Sequence, residues 1–136
     1  RVSGPGKRDA LDALELIADN FLSVATPVQA ALPELLPLGM RIRDAIRART
    51  RTNLTVLRDA FAGAPAATVL PVEGGWSAVI RVPRVMPDEE LALSLLEKGV
   101  VVQPGYFFDF ATDGYIVVSL LTDPATFAHG IRRIAV

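Results

Sequence analysis

The sequence predicts an α+β fold: a small, mainly antiparallel sheet of about four strands with helices on one face, preceded by N-terminal helices and one long helix. Two observations carry this. Between Gly74 and Pro83 the run GGWSAVIRVP sets Trp76, Ala78, Ile80 and Val82 against Ser77, Val79 and Arg81, the period of two that marks a strand with one buried face. Upstream of it the apolar pattern is helical throughout, and downstream helical and strand patterns alternate. A sheet therefore begins with this stretch, and Ala67 to Leu70 supplies its hairpin partner.

In chain order, Lys7 to Phe21 carries Leu11, Leu14, Ile17, Ala18 and Phe21 on one stripe, opposite Asp9, Asp12, Glu15 and Asp19. It reads as an amphipathic helix. Ser23 to Thr26 breaks the pattern, and Pro27 starts a short helix through Gln29 to Leu36, bent near Pro33. From Leu38 to Phe61 a long helix follows, roughly 35 Å at 1.5 Å per residue. Gly63 and Pro65 end it. Pro87 with Asp88, Glu89 and Glu90 opens the next helix, where the helix dipole favours negative charge, and Gly99 stops it after Lys98. Val100 to Gln103 is a short strand leading into the loop Pro104 to Asp109, and Asp113-Gly114 turns the chain into a strand from Tyr115 to Leu121. Its Ile116, Val118 and Leu120 face the core, with Tyr115, Val117, Ser119 and Leu121 opposite. Asp123 caps a last helix that begins at Pro124.

Composition narrows the function classes. With 136 residues, 51% hydrophobic and 21% charged, the chain can bury a core, and its net charge of -1 offers no general attraction to nucleic acid or acidic membranes. The absence of cysteine removes disulfides, thiolate catalysis and thiolate metal sites, and no apolar run approaches the ~20 residues of a membrane span. The cytoplasm is the expected compartment. The start at Arg1, in a Ser3-Gly4-Pro5-Gly6 turn, suggests a fragment or a processed product.

Residues able to do chemistry are few. The lone His129 has no Cys or acidic partner at metal-binding spacing, and reads as a surface or interface residue. Arg43, Arg47, Arg51 and Arg58 share an arc of the long helix, which suits a solvated or partner-facing stripe better than a nucleic-acid surface lacking interleaved aromatics. The cluster Tyr106, Phe107, Phe108 and Phe110 sits in a Pro-Gly loop between strands, where a core role and a ligand pocket are equally compatible with its composition.

Four blocks in order then carry a family resemblance: NFLSVATPVQ from Asn20, GGWSAVIRVP from Gly74, EKGVVVQPG from Glu97 and GYIVVSLL from Gly114. Together they resemble the carboxy-terminal part of class I/II pyridoxal-phosphate-dependent aminotransferases. The resemblance implies that residues 1–36 lead from a large domain outside this sequence and that 37–136 form the family's small domain. It further implies a parent enzyme, homodimeric, that binds pyridoxal phosphate and moves an amino group between an amino donor and a 2-oxo acid. Neither Lys7 nor Lys98 has the Ser-x-x-Lys setting of a Schiff-base lysine, so the fragment alone is expected to hold no cofactor and to be inactive.

One departure bears on substrate. The family clamps the substrate α-carboxylate with an arginine two residues before a Ser or Asn of its last strand, and here Val117 stands in that place before Ser119. The resemblance thus leaves Arg81 or Arg84 to take a carboxylate, or a substrate that is not an ordinary α-amino acid. Tyr106, Phe107, Val117 and Arg81 are the expected substrate-binding residues, with the Tyr106–Asp109 loop closing over the cleft. Element order alone also permits a free-standing regulatory or ligand-binding module with a ferredoxin-like sheet, and the arginine stripe a nucleic-acid-binding helix.

Overall fold

A computed structural model describes residues 2–21 and 24–134, so the break expected at Ser23 lies outside the described residues, as do Arg1, Leu22, Ala135 and Val136. The chain divides into two compact units, Arg1–Arg41 and Ile42–Val136.

The first unit is helical. α1 (Lys7–Asn20) follows Gly6, whose left-handed φ of 78° only glycine takes freely. Its apolar stripe is unburied: Leu11, Leu14 and Ile17 are all exposed, and so is Phe21 just beyond it. α2 (Thr26–Phe61) starts in this unit and ends in the second. The two helices expected on either side of Leu38 are therefore one, with Pro33 and Pro37 inside it. An interior proline removes one hydrogen bond and crowds the preceding turn, a local cost of about 3 kcal/mol that does not by itself decide where a long helix ends.

The second unit holds the sheet. Its strands are β1 (Thr68–Val69), β2 (Ser77–Arg81), β3 (Gln103–Pro104) and β4 (Tyr115–Ser119), in the order β1-β2-β4-β3 and antiparallel at each pairing. In register, Ala78 lies opposite Val118 and Ile80 opposite Ile116, and these four join Leu57 and Phe61 of α2, Leu95 of α3 (Asp88–Glu97) and Phe127 and Ile131 of α4 (Pro124–Ile134) in one buried cluster. The helices thus cover one face of the sheet. Trp76, expected on the buried face, is exposed, because the ladder begins only at Ser77 and Trp76 precedes it.

The strand expected over Val100 to Gln103 is displaced. Gly99, at φ 73°, turns the chain so that the Val100 N–H returns to the Leu95 carbonyl at 2.9 Å, and Val100 and Val102 drop into the core before pairing begins at Gln103. The strand predicted to Leu121 stops at Ser119, where Ser119 Oγ accepts the Leu121 N–H at 3.3 Å and bends the chain.

Asp123 caps α4 as its sequence position requires. Its Oδ1 accepts the N–H groups of Ala125 and Thr126 at 3.0 and 3.1 Å. The Thr126 N–H, with smaller help from Ala125, the Thr126 hydroxyl and Arg49, holds the carboxyl below the usual carboxylate range. A depressed folded value means that the stabilisation is present at neutral pH and lost as pH falls through that value. The variant Asp123→Ala is expected to melt lower than wild type at pH 7, with the gap closing under acid below the ordinary aspartate range. Thermal melts across that range check it, and a gap constant with pH would refute the cap's titration.

Candidate functional site

The sheet face turned away from the helices carries Ser77, Val79 and Arg81 from β2, Gln103 from β3, and Tyr115, Val117 and Ser119 from β4. Alternation along β4 places these three together, as the sequence predicts. Val117 is the floor of this face. It lies opposite both Val79 and Gln103, is outside the helix-covered cluster, and is nevertheless only 2% exposed.

Arg81 pairs across the strands with Tyr115, whose ring stacks on Phe110 with centroids 4.5 Å apart. Arg81 is exposed and forms no ion pair among the described residues. Arg84, the other cation considered from the sequence, is engaged elsewhere: its Nη2 donates to Thr112 Oγ1 at 3.0 Å, and its chain lies against Gly114.

Tyr106 and Phe107 lie in another place. The loop that follows β3 winds into a 3-10 helix, Gly105–Phe108, in which the two rings meet edge to face at 4.8 Å. Both line a groove of about 220 Å³ against α3, with Leu93, Leu96, Val101 and Glu89. The four expected site residues therefore fall in two groups, Arg81 with Val117 on the open sheet face and Tyr106 with Phe107 beside α3. Strand alternation orients the first pair, but the direction of a 3-10 turn has no comparable sequence period.

Two buried polar groups set the geometry of β4. Asp88, 2% exposed at the start of α3, accepts the N–H groups of Gly114 at 2.7 Å and Tyr115 at 3.2 Å, while Asp113 Oδ1 accepts the Asp88 N–H at 3.1 Å. Gly105 must be glycine beside them, since a Cβ there would stand 2.8 Å from Tyr115 Cβ and 3.0 Å from Asp88 Oδ2. At the other end of β4, Asn53 donates from Nδ2 to the carbonyls of Leu120 at 3.0 Å and Thr122 at 2.8 Å. Arg49, one turn earlier on α2, donates to the Leu121 carbonyl at 3.3 Å. Neither Asp88 nor Asn53 stands out as an anchor in the sequence, because their partners lie 26 and 67 residues downstream.

Neither lysine of the chain has a setting that fits a pyridoxal phosphate Schiff base. Lys7 and Lys98 are both exposed, and a Schiff-base lysine needs a desolvated or cation-rich setting to be nucleophilic at neutral pH. Among the described residues no group of three His, Asp or Glu side chains could hold a metal, and no helix is long and apolar enough to cross a membrane.

With this geometry established, the family model for aminotransferase class I and II matches residues 4–134, and the chain belongs to that family. No curated protein matches it. Among solved structures it is similar to a PLP-dependent aminotransferase from Streptococcus suis, with a TM-score of 0.68 and 21% identity over 91% of this chain and 33% of that one. It is also similar to LysN, the α-aminoadipate aminotransferase of Thermus thermophilus, with a TM-score of 0.66 and 22% identity over 93% of this chain and 34% of that one. A third similarity is to YbdL of Escherichia coli, with a methionine aminotransferase function, a TM-score of 0.63 and 22% identity over 85% of this chain and 32% of that one. At these identities the likeness is one of fold. The chain spans about a third of the length of each of these three.

Proposed function

We propose that this chain is the small-domain part of a pyridoxal-phosphate-dependent aminotransferase that exchanges an amino group between an amino donor and a 2-oxo acid. The observation that carries the reading is the family match over residues 4–134, supported by a fold shared with aminotransferases three times as long. The cofactor, its lysine and its phosphate cradle belong to the large domain, which this sequence does not include. The open face of the sheet, with Arg81 and Val117, borders the substrate cleft, and Tyr106 and Phe107 close it from the side of α3, so that water is excluded from the reacting centre. The enzyme works in the cytoplasm as a homodimer. The free-standing ferredoxin-like module and the nucleic-acid-binding helix rested only on element order and on the arginine stripe, and the family match supports neither.

The test is a borohydride reduction of the protein expressed from its complete reading frame, followed by mass mapping. The pyridoxyl adduct is expected on a lysine outside residues 1–136. Stoichiometric adduct on Lys7 or Lys98 would overturn the reading.

A further inference from the structure

We infer that Glu89, Tyr106 and Phe107 form a binding site for an alkylammonium group, a cationic nitrogen carrying apolar carbons. The site belongs to these side chains alone and stands apart from the transamination proposed above. All three line the groove of about 220 Å³ between α3 and the 3-10 helix. Its other walls are apolar, Leu93, Leu96 and Pro104 among them, and Glu89 is the one charged residue that the described residues present to it.

The pairing of rings with a carboxylate selects the chemistry of the occupant. Tyr106 and Phe107 stand at 88° to each other with centroids 4.8 Å apart, which gives the groove two aromatic walls at a right angle. Both are exposed. The face of an aromatic ring attracts a cation within about 6 Å, and rings set at an angle are a recurring means of holding a quaternary nitrogen. Glu89 adds a full negative charge and forms no ion pair among the described residues. A purely apolar guest would dry that carboxylate without pairing it, and a bare metal ion would find one carboxylate where it needs several oxygens. An alkylammonium group meets the walls with its carbons and the carboxylate with its charge.

The two sides of the groove are fixed before any ligand arrives. Asp88, which precedes Glu89 in α3, accepts the N–H groups of Gly114 and Tyr115 at 2.7 and 3.2 Å. Gly105, which precedes Tyr106, packs so close to the same carboxylate that a Cβ would stand 3.0 Å from Asp88 Oδ2. The 3-10 turn is closed by the Asp109 N–H on the Tyr106 carbonyl at 3.3 Å, with Asp109 in the left-handed region at φ 58°. One buried carboxylate thus holds the start of α3 against the turn that carries the rings, and little ordering is left to oppose binding.

The experiment is a ligand-observed NMR titration of the protein expressed from its complete reading frame, with choline and with dimethylbutanol, its neutral carbon isostere. Choline is expected to bind roughly 10-fold more tightly than the alcohol. Phe107→Leu keeps an apolar side chain but removes a ring face, and should weaken choline roughly 3- to 10-fold. Glu89→Gln should weaken it roughly 2- to 5-fold, with the alcohol little changed by either variant. Both residues are exposed, so neither substitution opens the core. Equal affinity for choline and the alcohol, no binding of choline, or variants that bind choline like the wild type overturn the site. An accepted amino donor that displaces choline assigns the cation to the far end of the substrate, and one that leaves it bound assigns it to a separate ligand. The titration reads the same whether or not the protein transaminates, so the two proposals fail separately.

Discussion

Replacing Asp88 by alanine is expected to cost about 3–5 kcal/mol of stability, enough to unfold much of a marginally stable domain. Asp88 is buried, and its carboxylate is the acceptor for the N–H groups of Gly114 and Tyr115 at the start of β4. Hydrogen bonds to a charged acceptor contribute about 1.5–3 kcal/mol each, and truncation also leaves the buried Gly114 N–H unpaired. Its position between Gly105 and Gly114, where an added Cβ would collide with neighbours at 2.8 Å, leaves little room for repair by local movement. Asp88→Asn, which keeps a carbonyl acceptor, should lose about half as much. Urea unfolding gives both values, and a loss below about 1 kcal/mol for the alanine variant would show that the N–H groups find another acceptor.

Asn53→Asp is the second large effect, although it exchanges only an amide nitrogen for oxygen. Asn53 is fully buried, and Nδ2 is the donor for two carbonyls. An ionised aspartate would face both carbonyls with lone pairs and strand a charge, at a cost of about 3–5 kcal/mol at pH 7. The alanine variant should lose less, about 1–3 kcal/mol, because it also removes Oδ1, which has no partner and is buried at a cost of its own. Thermal melts that rank alanine as the worse substitution would contradict this account.

Local chemistry was legible in the sequence and long-range pairing was not. The cap at Asp123, the stop at Gly99 and the alternation of β2 from Ser77 to Arg81 depend on neighbours within a few residues, and each is found as expected. In β4, by contrast, Val117 is buried along with Ile116 and Val118, and the expected alternation of burial is lost. Asp88 shows the limit. Among three acidic residues at a helix start it reads as one more charge suited to the dipole, and only the return of β4 to that helix makes it a buried anchor. Pro33 and Pro37 mislead in the opposite sense, since a local penalty does not fix the course of a helix running to Phe61. For the site, the face shared by Val117 and Tyr115 follows from period two. The separation of Tyr106 and Phe107 from them follows from a 3-10 turn and from contact with α3, which only the folded chain displays.

The sheet ends on both sides in strands of two residues, β1 at Thr68–Val69 and β3 at Gln103–Pro104. A growing fibril or a swapped neighbour needs a row of free N–H and C=O groups long enough to register a new strand. Neither rim offers one, and Pro104 has no N–H to give. Copies of this chain that meet at high concentration are therefore steered away from cross-β polymerisation and towards contacts made by side chains, which can be reversed by dilution.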